Sequence, residues 1–342
     1  MSFTAPFSFF DVFTSSPTCG NPAAVVFLPT RKQQETLQEI ASSLDQPIAV
    51  FLSRSDTACD HGVATFDVHW FTSTTEMPII GHGLIAAAAA LFAPDPSSHK
   101  ADLFDLAPET TTIQFRSEAD VTLTTRRHTL ANWYELELPA SPTTPIPLDS
   151  DEGRRICRII GRALGCEKVD GDAVVFVGKG GEGYENYLMV ELDQNVDLGA
   201  CEVDTGILTE TQPYTINVLS SEGHRDKDIA FVSRMFAPTV GLPEDHVYGS
   251  AHALLTPYYT SKRRARSEEP SSQPAVNLEL HAKQMSKRGG DLRVVWDEER
   301  GIVKIAGEVV RTGGGSWVYK SVDKYDPGTY VYKDGWKASY RW

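Results

Sequence analysis

Two segments of this chain carry the same run of signals, and a chain that contains one device twice is constrained toward a fold of two similar halves. The first is His69-Trp70-Phe71-Thr72-Ser73-Thr74-Thr75-Glu76-Met77-Pro78-Ile79-Ile80-Gly81-His82-Gly83, followed by Leu84-Ile85 and five alanines. The second is Arg234-Met235-Phe236-Ala237-Pro238, then Gly241-Leu242-Pro243-Glu244-Asp245-His246-Val247-Tyr248-Gly249-Ser250-Ala251-His252, followed by Ala253-Leu254-Leu255. Each reads as a strand, a loop with proline, and a small-residue turn that opens a helix. Phe71 stands ten residues before Gly81, and Phe236 stands thirteen before Gly249. A helix N-terminus presents N–H groups and the positive end of the helix dipole, so each copy can hold an anion. Two such ends facing each other would make one cleft from two similar halves, which is an enzyme-like arrangement.

At 342 residues the chain is long for one core, and two domains are expected. The rest of the pattern agrees with a two-part order. Phe7–Val12 alternates as a strand, Cys19-Gly20-Asn21-Pro22 is a turn, and Ala23–Leu28 is a second strand. Arg31–Leu44 has helical spacing, with Leu37, Ile40, Ala41 and Leu44 on one face, and Pro47 ends it. Strands are predicted at Ile48–Leu52, Thr65–Phe71, Thr111–Phe115, Val121–Arg126 and Trp133–Leu138, with a helix at Leu84–Phe92. The proline-rich Pro139–Pro147 is the expected interdomain crossing. A helix at Arg154–Leu164 then leads into strands at Ala173–Val177, Tyr187–Leu192, Tyr214–Ser220 and Asp228–Met235. A helix at Ala251–Tyr259 and strands at Leu292–Asp297, Ile302–Ile305 and Trp317–Tyr319 close the order. Lys262–Val276 has a basic start and a Ser/Glu/Pro/Gln-rich remainder without periodicity, and is expected to be a mobile surface insertion.

Charge and residue usage exclude several classes of function. The formal net charge of −14 argues against a nucleic-acid partner, although a local pocket can still be positive. No apolar run approaches a membrane span, and Met1–Phe10 lacks a basic leader, so no membrane or secretory role is expected. Cys19, Cys59, Cys157, Cys166 and Cys201 are odd in number and show neither zinc nor redox spacing. Buried thiols in a reducing cytoplasm are the plain reading.

The residues in these segments also resemble a known family, the phenazine-biosynthesis PhzF-like isomerases, which share the diaminopimelate-epimerase fold. The resemblance rests on Asp11-Val12-Phe13-Thr14, Gly20-Asn21-Pro22-Ala23-Ala24-Val25, Phe71-Thr72 and Glu76-Met77-Pro78-Ile79-Ile80-Gly81-His82. It continues through Arg234-Met235-Phe236-Ala237-Pro238, Pro243-Glu244-Asp245, Gly249-Ser250-Ala251-His252, and Gln284 with Arg288. It implies an α+β fold of two pseudo-symmetric domains, each a curved mixed sheet around a central helix. The domains expected on that basis are 1–138 plus about 312–342, and 148–311 with the insertion at 262–276. The resemblance further implies an active site in the cleft between domains, no metal and no cofactor, a small-molecule substrate, and a homodimer. Carried across residue by residue, it points to His82 and Asp245 as proton-transfer groups and to Ser250 as a substrate-binding hydroxyl. Gly81, Gly83, Gly249 and Ala251 flank the two turns.

Where the family carries a catalytic glutamate, this chain has Gln46, within Leu44-Asp45-Gln46-Pro47. Glutamine is neutral at every pH and cannot act as a general base. The family's Gly-His-Pro turn also becomes Gly81-His82-Gly83, and its Asp-Pro segment becomes Asp245-His246-Val247-Tyr248. Three departures at the implied site on a retained scaffold read as altered chemistry.

Each candidate also has a bland alternative. Asp245 reads as an acid–base group or as a turn or cap carboxylate. His82 reads as a neutral relay or as a polar group at a helix start. Gln46 reads as a remnant or as a carboxamide that orients substrate, and Tyr248 lines the site or packs beneath the turn. Gly20-Asn21-Pro22 reads as a braced turn in which Asn21 bonds backbone, with ligand contact as its alternative. Three functions stay open: a cofactor-independent isomerase working through Asp245 and His82, a cyclase that polarises a polyunsaturated substrate through Gln46, His82 and Ser250, and a non-catalytic binder on a decayed scaffold.

Overall fold

Strands dominate the secondary structure. The computed structural model describes residues 2–55, 62–77, 80–93, 104–117, 121–165, 173–223, 228–266 and 278–320. Compactness divides the chain into two units. One comprises Met1–Phe10, Pro22–Thr124 and Arg311–Trp342, the other Asp11–Asn21 and Thr125–Val310. Strands β1 (Ser2–Val12) and β17 (Ile302–Lys320) each run through the division.

In the first unit, β2 (Asn21–Phe27, whose first residue belongs to the second unit) pairs in parallel with β3 (Ala49–Arg54), and helix α1 (Gln34–Leu44) makes the crossover. Helix α1 buries Leu37, Ile40, Ala41 and Leu44, the face expected from the spacing. It stops at Asp45, which takes the left-handed conformation at φ 51°. Strand β3 pairs antiparallel with β4 (Val63–Phe71), and β4 forms a hairpin with β5 (Glu76–Met77). Helix α2 (Gly81–Phe92) follows, and β4 then pairs in parallel with β6 (Thr112–Arg116). Every residue of α2 from His82 to Phe92 is buried, as expected of a helix that is apolar all round and lies inside its unit. Gly83 permits the approach to the sheet, because a Cβ there would meet Val50 Cγ2 at 2.8 Å. Phe71 joins Phe51, Leu37 and Ile40 in the core beneath, where each fully buried large apolar side chain stabilises by roughly 1.5–3 kcal/mol.

The second unit repeats this pairing order. Strand β11 (Tyr187–Leu192) is parallel to β12 (Ile216–Glu222), and β12 is antiparallel to β13 (Phe231–Ala237). Strand β13 forms a hairpin with β14 (Leu242–Asp245), helix α4 (His252–Arg266) follows, and β13 pairs in parallel with β15 (Glu279–Gln284). Strand β16 (Gly290–Asp297) and β17 extend this arrangement antiparallel, and β17 returns against β8 (Trp133–Pro139). Strand β7 (Thr122–Arg127) precedes β8, and β10 (Val174–Lys179) pairs antiparallel with β11 and with β9 (Thr144–Pro145). Helix α3 (Asp151–Ala163) is capped by Ser150 Oγ, which accepts from Gly153 N at 3.0 Å. It packs Ile156, Ile160 and Ala163 onto a core that includes Phe236. Helix α4 is buried from His252 through Pro257, and again at Tyr259 and Thr260.

Several expectations are corrected by the structure. Ile302–Ile305 and Trp317–Tyr319 belong to one strand, with Gly313-Gly314-Gly315 inside it. Gly314 allows β1 to approach, since a Cβ there would lie 2.7 Å from the Phe7 carbonyl oxygen. Lys262–Arg266 are not part of a loose insertion but end α4. Lys262 bonds Glu191 and Glu222 at 2.7 Å, and Arg266 bonds Glu222 at 2.8 Å. Basic residues at a helix C-terminus are favoured by its dipole. The rest of the expected insertion, from 267 to 276, lies outside the described residues. The unit boundary at Thr124 precedes the crossing expected at Pro139–Pro147, because β8 pairs with β17 from Trp133 to Pro139. Trp317 and Tyr319 pack against the first unit's core, while Tyr330 and Tyr332 lie outside the described residues. Cys19, Cys157 and Cys201 are half-buried rather than buried, and Cys59 and Cys166 fall outside the description.

Candidate functional site

In the second unit the site is built from the β13–β14 hairpin outward. Arg234, nearly buried on β13, makes a bidentate pair with Glu244 on β14 at 2.7 and 2.9 Å. The same guanidinium donates to the carbonyls of Leu198 and Cys201. Successive strand residues point to opposite sides, so anchoring Glu244 turns Asp245 the other way. Asp245 Oδ1 there accepts from Asn21 Nδ2 at 2.8 Å and from Val247 N at 3.0 Å. Gln284 on β15 clamps the turn, its Nε2 donating to Asp245 O at 2.8 Å and its Oε1 accepting from Tyr248 N at 2.9 Å. Ser286 Oγ donates to His246 O at 2.5 Å.

The electrostatics of Asp245 set it apart. Part of its surface reaches solvent, yet protein atoms crowd the carboxyl closely enough that desolvation outweighs every other influence. Its pKa is pushed up to about 7 by that burial, against the lowering effect of the Val247 and Asn21 hydrogen bonds, with a further rise from the Glu244 charge. Both protonation states of such a carboxyl are populated near neutrality, the condition a general acid–base needs. His246 next to it is held below its usual range, first by burial and then by the Arg288 charge. Arg288 is itself bound to Asp11 Oδ1 at 2.6 Å and to the carbonyls of Gly20 and Cys19.

The turn that follows holds a hydroxyl cluster. Tyr187 OH lies 3.1 Å from Ser250 Oγ and 3.3 Å from Tyr248 OH. Tyr184 meets the Tyr187 ring edge-on at 5.1 Å. Burial raises both phenols, Tyr184 to about 12 and Tyr187 further, so these hydroxyls stay neutral. Gly249 and Ala251 are buried in a 3-10 turn that leads into α4. At the start of α4, buried His252 bonds Tyr248 O through Nδ1 at 3.2 Å, and desolvation lowers it to about 4.

In the first unit, His82 is buried at 6% exposure in the first turn of α2, between half-buried Gly81 and buried Gly83. Gln46 is half-buried just after α1, and its Nε2 donates to Asp45 O at 3.3 Å. Glu76 is held by His69 Nδ1 at 3.0 Å and by Gln34, which fits a structural role. Pro78 and Ile79 lie outside the described residues.

Asp245, Tyr248, Gly249, Ser250 and Ala251 thus fall on one turn, and Gly81, His82 and Gly83 on another. Sequence reasoning missed Tyr187 and the clamping role of Gln284, and it read Asn21 as a turn brace. Asn21 does bond backbone, at Val247 O, but it also holds the Asp245 carboxyl. Among the described residues no group of three or more His, Cys, Asp and Glu side chains is placed to hold a metal ion, and no helix is long and apolar enough to cross a membrane.

A hairpin, a small-residue turn and a buried helix, set twice in an α+β frame, define a known class. Residues 10–315 match the phenazine biosynthesis-like protein family, PhzC-PhzF, and the chain belongs to it. Among similar proteins, an uncharacterized isomerase of Halalkalibacterium halodurans is 27% identical over 87% of this chain and 93% of its own length. An uncharacterized isomerase of Pseudomonas aeruginosa is 29% identical over 89% and 95%. The crystal structure of a PhzF-family phenazine biosynthesis protein from Enterococcus faecalis superimposes with a TM-score of 0.70 at 24% identity, covering 92% of this chain and 99% of that one. The fold is therefore the α+β fold of this isomerase-type family.

Proposed function

We propose that this protein is a cofactor-independent isomerase that moves a proton within a small or medium-sized metabolite, with Asp245 as the acid–base group. The observation that carries the reading is the Asp245 carboxyl itself, desolvated yet partly accessible, with one oxygen held by two donors. The substrate would carry an acidic C–H beside a carbonyl or a conjugated double bond. As that bond breaks, ionised Asp245 takes the proton and the electron pair moves into the conjugated system. Neutral Asp245 then returns the proton to another carbon, or to the other face of the same carbon, and the carboxylate is regenerated. No electrons leave the substrate, so the step needs no redox partner. His82 and Gln46 are proposed as further participants, Gln46 as a hydrogen-bonding carboxamide in place of a base, which makes the chemistry a variant of the family's. Ser250 and Tyr248, joined through Tyr187, offer hydroxyls for substrate binding.

The test is turnover in heavy water of carboxylic acids with an acidic C–H, including α-amino acids and conjugated dienoic acids. Any product formed should carry solvent deuterium at carbon, and Asp245→Asn should abolish that label. Turnover without deuterium incorporation, at a rate unchanged in Asp245→Asn, would favour cyclisation by hydrogen-bond polarisation instead.

A further inference from the structure

We propose that Asn21 is a positioning residue that decides which oxygen of Asp245 exchanges the proton: it holds Oδ1, and Oδ2 takes and returns the proton. The inference rests on the acid–base reading of Asp245. Asn21 opens β2, lies 224 residues before Asp245 in the chain, and is 2% exposed. Its Nδ2 donates one hydrogen to Asp245 Oδ1 at 2.8 Å and bonds Val247 O at 2.9 Å. The Val247 carbonyl can only accept, so it fixes the amide orientation. A flipped amide would set its oxygen against two acceptors. Oδ1 also receives Val247 N at 3.0 Å. An oxygen that already faces two donors is a poor place for a third proton, so protonation falls on Oδ2.

The support behind Asn21 is equally fixed. Gly20 sits at φ +69°, and a Cβ there would lie 2.2 Å from the Val12 carbonyl oxygen. Gly20 N donates to Gly289 O at 2.9 Å, and Gly20 O accepts from Arg288 Nε at 2.8 Å. The charged and titratable groups around the carboxyl are committed elsewhere. Glu244 is paired with Arg234 and Arg288 with Asp11, and burial, with the Arg288 charge, disfavours the protonated form of His246. The side chain left to orient the carboxyl is the neutral amide, which does so without adding charge.

The experiment uses the full chain labelled with nitrogen-15 and carbon-13, with no ligand, titrated from about pH 5 to pH 9. The Asn21 side-chain amide signals should move with the same midpoint as the Asp245 carboxyl carbon, and the movement should vanish in Asp245→Asn. In Asn21→Ser and Asn21→Leu the Asp245 midpoint should rise by about one pH unit, because a donor to the charged form is lost. An Asn21 amide that ignores pH while Asp245 titrates would overturn the proposal, as would an amide titration that persists in Asp245→Asn. The wild-type titration decides the matter even where an Asn21 variant fails to fold. The acid–base reading fails on a different result: Asp245→Asn that keeps full turnover and deuterium labelling, whatever the amide does.

Discussion

The two small-residue turns share a scaffold and differ in what they hold. In each, a strand pairs in parallel with one neighbour and antiparallel with another, makes a hairpin, and hands over to a buried helix. At the first turn the polar group is His82, set on the helix between Gly81 and Gly83, and Gly83 lets α2 press onto Val50 and Trp70. At the second, the polar groups precede the helix and are held from distant strands: Asp245 by Asn21, the backbone by Gln284, and Ser250 by Tyr187. Duplicated backbone therefore does not imply duplicated chemistry. A helix start is a general place to put a polar group, while a neutral-range carboxyl needs a built surround.

That comparison can be broken in several ways. The largest effect is expected from Asp245→Asn, which should lower kcat by about 100- to 10,000-fold in the heavy-water assay with the fold intact. A loss as large from His82→Ala would make the two turns equal partners, whereas a loss of about tenfold to a hundredfold would leave Asp245 dominant.

Next in size is a pH effect on stability. Asp245 has a folded pKa of about 7, above its unfolded value, so between about pH 4 and pH 7 the native state holds a proton that the unfolded state has released. Stability falls as pH rises through that window, by up to a few kcal/mol. His252 acts in the opposite direction, since its pKa of about 4 makes the native state lose stability as pH falls below about 6.5. Denaturation of wild type and Asp245→Asn in parallel isolates the first contribution. The Asn variant should lack the decline toward pH 7 and be the more stable protein there. Equal pH profiles would mean that Asp245 is an ordinary carboxylate.

Gln46→Glu should slow the protein's own reaction by about tenfold to a hundredfold, because the carboxamide's donor is lost. Acceleration would show an ordinary family isomerase with a weakened base. The smallest effect is expected from Tyr187→Phe, which removes the hydroxyl bound to Ser250 and Tyr248. It should raise KM by roughly threefold to tenfold, the worth of one hydrogen bond, with kcat nearly unchanged. A kcat loss equal to that of Asp245→Asn would move the chemistry onto the hydroxyl cluster.

Much of this was legible in the sequence wherever one physical signal dominates. Alternation over Phe7–Val12 marks β1, and the Leu37, Ile40, Ala41, Leu44 face marks α1. Asp245 stands out in the sequence through the family resemblance, since its spacing alone equally fits a turn or cap carboxylate. Signals failed where residues act across the sheet. Tyr187 is lost in the apolar run Tyr187–Leu192, where nothing marks a polar duty. Asn21 beside Gly20 and Pro22 carries a turn signal, and turn chemistry says nothing about a partner 224 residues away. Strand β14 contains Pro243, which demotes a strand on sequence, yet it forms as the short second arm of a hairpin. The three glycines of β17 lie between stretches expected as separate strands, Ile302–Ile305 and Trp317–Tyr319, and Gly314 lets β1 approach closely within the one strand.

The distance in sequence between Asn21 and Asp245 also bears on how the protein is made. During synthesis residue 21 emerges long before residue 245, and Gln284, which steadies the Asp245 turn, and Arg288, which steadies the Cys19–Gly20 turn, come later still. The first unit closes many contacts early, but it also claims the last part of β17, so neither unit is complete until more than three hundred residues are available. Contacts of such long range are slow to form, and their loop-closure entropy is met only when most of the chain can condense at once. The Asp245 carboxyl is thus expected to acquire its raised pKa among the last events of folding. Chains shortened before β15 would keep Asp245 as an ordinary solvated carboxylate, even where their local strands and helices had already formed.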